Sequence, residues 1–139
     1  MPELAEKNIE SNEVSLYSPG SEGIGNILIQ TDVIARIAGM ATSEVEGVSL
    51  GQKSWVEDIL RGKEAVKGIQ VERQDNGRYS ITCAVRMAYG SPMRATAEKL
   101  QRHVKEAVER MAGLELESVD VKILDIYIET DKDRDQAED

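Results

Sequence analysis

The chain has no phenylalanine and only one cysteine, one histidine and one tryptophan among its 139 residues. A lone cysteine, Cys83, excludes an internal disulfide framework and a cysteine-rich zinc site. A lone histidine, His103, excludes every metal motif built on a histidine pair and leaves at most one histidine-based general base. No apolar run approaches the roughly 20 residues of a membrane-spanning helix. The opening MPELAEKNIESNE has no basic region leading into an apolar run, so it does not read as a secretory signal. Basic residues are scarce too. Seventeen Lys and Arg stand against 26 Asp and Glu, a formal charge of -9 with a pI near 4.7. That balance argues against nonspecific nucleic-acid binding, which neutralises phosphates with Lys and Arg.

What is present has the balance of one ordinary globular domain, 40% hydrophobic and 31% charged. The acidity is concentrated at the two ends. Residues 1–23 carry five acids and one base, and residues 129–139 carry six acids and two bases, so residues 24–128 are nearly neutral. Both ends are poor in apolar residues and are expected to form disordered acidic tails around a single domain at 24–128. Such tails read first as solvated, solubilising segments. Binding a basic partner, or weakening contact with anionic lipid and nucleic acid, is the sharper alternative. The glycines of GSEGIG at 20–25 precede a short apolar segment rather than follow a strand, so they read as a linker and not as a phosphate loop.

A short strand over Asn26–Gln30 is followed by Thr31 as N-cap and Asp32 in a first helical turn. Val33, Ile34, Ile37, Ala38 and Ala41 recur at helical spacing and predict a helix over 32–43, ended by a turn at Gly47. In residues 49–67, Trp55, Val56, Ile59 and Leu60 fit one short amphipathic helix. Ile69, Val71 and Arg73 alternate with polar neighbours, and Tyr79, Ile81, Cys83, Val85, Met87 and Tyr89 form a longer apolar face. A two-residue Asn76-Gly77 turn would send these two faces to opposite sides of the sheet. A three-residue loop, 75–77, pairs Val71 with Ile81 and Ile69 with Cys83, and requires a left-handed Gly77 beside a bulge.

Ser91 and Pro92 then open a second long helix. Met93, Ala97, Leu100, Val104, Val108 and Met111 form its apolar stripe, and Gly113 closes it. Arg94–Glu98, Glu98–Arg102, Arg102–Glu106, Lys105–Glu109 and Glu106–Arg110 are spaced as i,i+4 pairs on its wet face. In the last strand, about 117–128, the apolar phase changes between Ile123 and Leu124, which a bulge there, or burial on both sides at the end, would explain. The expected fold is α+β. It is a two-layer sandwich in β-α-β-β-α-β order, with two main helices on one face of a mostly antiparallel sheet of three to four strands.

No catalytic constellation emerges. His103 reads as a boundary residue beside the apolar stripe, and Cys83 as a buried core thiol. Glu44 and Glu46 sit two apart at a helix end. Catalytic carboxylate pairs usually come from different elements around a cleft, so these two read as solvated or as a local salt-bridge site. Trp55, Tyr79, Tyr89 and Tyr127 are too few and too little flanked by cations to stack bases. The strand side bearing Thr82, Ala84, Arg86 and Ala88 is expected to face solvent or a partner. Thr82, Arg86 and Lys122 are the candidate interaction residues. No cofactor and no metal site is expected.

The chain resembles the alkaline-shock, or envelope stress response, protein family of Gram-positive bacteria from about Gly25 to Ile128. The resemblance rests on GNILIQTDVIARIAGMATSEVEGV at 25–48, Gly68-Ile69-Gln70-Val71, Tyr89-Gly90, and VKEAVERMAGLELESVDVKI at 104–123. Ala112 and Asp120 stand where the family more often has Thr and Asn. The resemblance implies a cytoplasmic, non-enzymatic protein that self-associates and is held at the membrane by a small membrane-anchored partner, where it supports envelope homeostasis. No catalytic residue travels with it, and from hydropathy and charge neither direct membrane insertion nor a nucleic-acid partner is expected. Some members are encoded beside kinases of the dihydroxyacetone and fatty-acid type. An accessory or regulatory subunit of such a kinase-like enzyme is therefore one alternative. An RNA- or ribosome-associated module, by analogy of fold alone, is another.

Overall fold

A computed structural model describes residues 13–16, 24–50 and 68–129. Its elements are β1 (Glu13–Ser15), β2 (Leu28–Gln30), α1 (Thr31–Ser43), β3 (Val48–Ser49), β4 (Ile69–Arg73), β5 (Tyr79–Ala88), α2 (Met93–Ala112) and β6 (Leu116–Tyr127). The short helix expected around Trp55–Leu60 lies outside the described residues. Both helices pack on one face of the main sheet, as expected for this α+β class. Ile34, Ala38 and Ala41 of α1 and Leu100, Val104 and Val108 of α2 share one core with Ile81, Cys83, Val85 and Met87 of β5.

β5 is the centre of the sheet. β4 pairs antiparallel with its first half and β3 with its second, along the same edge. β6 runs parallel along the other edge for the full length of β5. The parallel pairing follows from the connection, because the chain leaves the far end of β5, returns along α2 and starts again at the near end. The β4–β5 register sets Val71 opposite Ile81 and Ile69 opposite Cys83, as the shared buried face demands. Gln74 and Arg78 close the loop. The N–H of Gly77 donates to the carbonyl of Gln74 at 2.9 Å, with Gly77 at φ +85°. Of the two explanations for the phase change in β6, the structure shows the bulge. Val85 lies opposite Ile123 but Arg86 opposite Asp125, which leaves Leu124 as the extra residue.

Several expectations need correction. Part of the expected N-terminal tail is structured, because Glu13–Ser15 pairs with Leu28–Gln30 and Val14 is buried in the core. The strand before α1 therefore belongs to this separate ribbon and not to the main sheet. Thr31 is the first helical residue of α1 rather than its cap. The cap position falls to Gln30, whose extended backbone (φ -73°, ψ 146°) runs directly from β2 into the helix. At α2 the boundary likewise moves by one residue, with Pro92 in the cap position. Gly113 ends α2 in the left-handed conformation, its N–H donating to the carbonyl of Glu109.

The buried stripe of α2 is Thr96, Leu100, Val104, Ala107, Val108 and Ala112. Met93 and Met111, expected at its ends, are exposed, because the straight helix carries them off the line that meets the sheet. Val33 of α1 and Tyr89 are also exposed. Among the described residues, one of the five i,i+4 pairs closes, Lys105–Glu109 at 3.3 Å.

Candidate functional site

Of the candidate reactive residues, Cys83 lies in the core while His103 meets Glu44 nearer the surface. Cys83 is fully buried at the middle of β5. Burial pushes its thiol up to about 11. The Thr42 side chain opposes that shift, and the charge of Asp120 adds to it. Such a thiol is neither a nucleophile nor a ligand near neutral pH. Thr42 is itself buried, and its hydroxyl donates back to the carbonyl of Ala38 at 2.7 Å.

His103 has a partner that no local spacing announced. Its Nε2 lies 2.9 Å from Oε1 of Glu44, the residue that ends α1. The contact ties the end of α1 to the middle of α2, and both side chains are partly open to solvent. A carboxylate next to a histidine orients the ring. Cys83, the described thiol, is buried in the sheet and unavailable to it. Among the described residues no group of three metal-ligating side chains gathers anywhere.

Among the described residues of the helices and the main sheet, two apolar surfaces stand out. The first is a groove of about 390 Å³ between α1 and α2, floored by Val33, Ile37, Met40 and Met111, with Arg36, Arg110 and Glu44 around it. The second is the C-terminal half of β6. Ile123, Leu124 and Ile126 are exposed, as is Ile128 just beyond the strand, with Leu124 at 68% and Ile128 at 71%. The sheet face opposite the helices carries the three candidate interaction residues. Thr82 lies beside Asp120, Ala84 beside Lys122, and Arg86 beside Asp125. This face is less open than its sequence suggests. Ser80 and Ala88 are buried, Thr82, Ala84 and Arg86 are partly buried, and only Lys122 of the three candidates is exposed. The guanidinium of Arg86 sits 5.2 Å from the ring centre of Tyr127, a cation–π contact that holds both side chains against the sheet. Desolvation raises the Tyr127 phenol above its usual range, Glu129 adds to the rise and Arg86 opposes it.

The class defined by these features is a two-layer α+β domain whose exposed apolar surfaces stand out more than any cleft. Within that class the chain belongs to the alkaline shock protein 23 family, which has a cell envelope-related function and is matched over residues 20–128. It is 28% identical over 109 residues to the uncharacterized protein Spy1535 of Streptococcus pyogenes, covering 78% of this chain and 84% of that one. It is 30% identical over 109 residues to the uncharacterized protein YloU of Bacillus subtilis, covering 75% of this chain and 90% of the relative. A third relative, the uncharacterized protein YqhY of Bacillus subtilis, is 26% identical over 111 residues, with 77% and 81% covered. No solved structure gives a significant match. No helix among the described residues is long and apolar enough to cross a membrane.

Proposed function

We propose that this protein is a non-enzymatic scaffold of the cell envelope, acting by self-association and by binding a membrane-anchored protein partner. One observation carries the reading. The exposed half of β6 and the residue just past it carry four large aliphatic side chains, Ile123, Leu124, Ile126 and Ile128, along a sheet edge, the kind of edge that strand-to-strand association uses. The burial of Cys83 is consistent with a role in binding rather than in turnover. The family's envelope-related function supports the cellular setting.

The test is sedimentation of the full chain across a concentration series at low and high salt. Two copies that each carry a net charge of -9 repel one another, so added salt is expected to strengthen apolar self-association. An RNA-binding module would lose its ligand as salt rises. A strict monomer under all conditions would remove the self-association half of the reading. Affinity purification with membranes retained tests the other half. An integral membrane protein is the expected partner, and a soluble kinase in its place would overturn that half.

A further inference from the structure

The two long edges of the main sheet are not alike. The β4 edge is five residues long and carries Gln70, Glu72 and Arg73, the charged, short kind of edge that resists pairing. The β6 edge is 12 residues long and is apolar where it is most exposed. Among the described residues nothing pairs with its far side. From this edge and from its bulge we infer that two copies of the chain pair through β6, antiparallel, about a two-fold axis passing between Ile123 and Leu124. The inference rests on the self-association reading above and adds to it the strand, the register and the symmetry.

The argument is one of phase. Residues opposite each other in neighbouring strands place their side chains on the same face of the sheet. Along β5, Ile81, Cys83, Val85 and Met87 face the helices, so their partners Val119, Val121, Ile123 and Ile126 face them too. On the other side, Thr82, Ala84, Arg86 and Ala88 are partnered by Asp120, Lys122, Asp125 and Tyr127. The slip at Leu124 separates the two halves of β6. In a regular strand, an axis between two adjacent residues would set helix-side residues of one copy against opposite-side residues of the other. Because the slip lies at the axis, this mismatch disappears.

Val121 of each copy then meets Ile126 of the other on the helix side. Val119 meets Ile128, which alternation carries to the same side. On the opposite face Lys122 meets Asp125, twice by symmetry, and Asp120 meets Tyr127. Competing registers are poorer. An axis through Lys122 or through Asp125 stacks like charges directly. An axis through Val121 matches Asp120 with Lys122, but it sets Glu117 against Asp125 and leaves Ile128 beyond the end of the partner strand.

Cysteine cross-linking of the full chain reads the register directly. A mixture of the Lys122→Cys and Asp125→Cys proteins is expected to form a disulfide-linked pair of unlike chains under mild oxidation, while each protein alone does not. Native Cys83 is buried and does not compete. Both substituted positions are exposed, and circular dichroism verifies that each variant is folded. Lys122→Asp alone should weaken association about tenfold, and adding Asp125→Lys to the same chain should restore it. Linkage of like chains, or of Lys122→Cys with Asp120→Cys in preference, overturns the register. If the unsubstituted chain self-associates but the first mixture does not cross-link, the register falls and the scaffold reading stands. If the unsubstituted chain never self-associates, both fall.

Discussion

Cys83 contributes to the alkaline limb of stability, beside the Tyr127 phenol that burial also raises. The folded state holds the thiol proton up to about pH 11, whereas an unfolded thiol releases it near the ordinary 9.0. Between those values the unfolded chain binds fewer protons, so this residue's contribution to stability falls as pH rises from about 9 to about 11. The full loss is about 2–3 kcal/mol. A Cys83→Ala variant is expected to be less stable at pH 7 but to lose less of its stability over that window, measured by urea unfolding at each pH. A thiol reagent at pH 8 should label the unfolded chain and spare the folded one. Gly68 offers a second test at this scale. Its φ of +90° suits glycine, and an added Cβ would lie 2.8 Å from the backbone carbonyl oxygen of Ala84. Gly68→Ala should therefore cost about 1–3 kcal/mol, since both the backbone and the close approach are strained.

Among the elements, α2 separates residues that carry the fold from residues that only share its spacing. Leu100 is fully buried and Met111 is 64% exposed, although both belong to one apolar periodicity. Leu100→Ala should destabilise by about 2–5 kcal/mol, and Met111→Ala should stay within about 0.5 kcal/mol of the parent. Thermal or urea unfolding of both variants checks the contrast. The same comparison shows how far the sequence could be read. The hairpin register was legible because a buried face leaves one acceptable phase, whereas the phase change at Leu124 left a bulge and two-sided burial both open. Strand β1 was not, since three residues with one apolar side chain, Val14, in an acidic stretch give no period to detect. The contact between Glu44 and His103 was equally hidden. The two are 59 positions apart, and only the docking of α1 on α2 brings them together. Of the expected interaction residues, Lys122 lies open while Thr82 and Arg86 are partly covered. Strand alternation shows which face a side chain takes and nothing about what lies over it.

For the molecule as a whole, the contrast is between a large negative charge and an apolar edge. Leu124→Lys is expected to abolish salt-strengthened assembly while leaving the melting temperature within about 2 °C of the parent, because Leu124 is 68% exposed and supports little of the core. Light scattering paired with a thermal scan provides both readouts. A large fall in melting temperature together with loss of assembly would mean that the edge serves the fold rather than a neighbour.

The central place of β5 also has a consequence for the order in which the protein is made. Its parallel neighbour, β6, comes last among the described elements, and Leu116 and Val119 complete the core from that strand. While those residues are still inside the ribosome tunnel, the nascent hairpin and both helices have only half a sheet to close upon. The domain therefore acquires its native packing only once β6 has emerged, and until then a growing chain exposes the open edge of β5 to whatever chaperone waits at the exit.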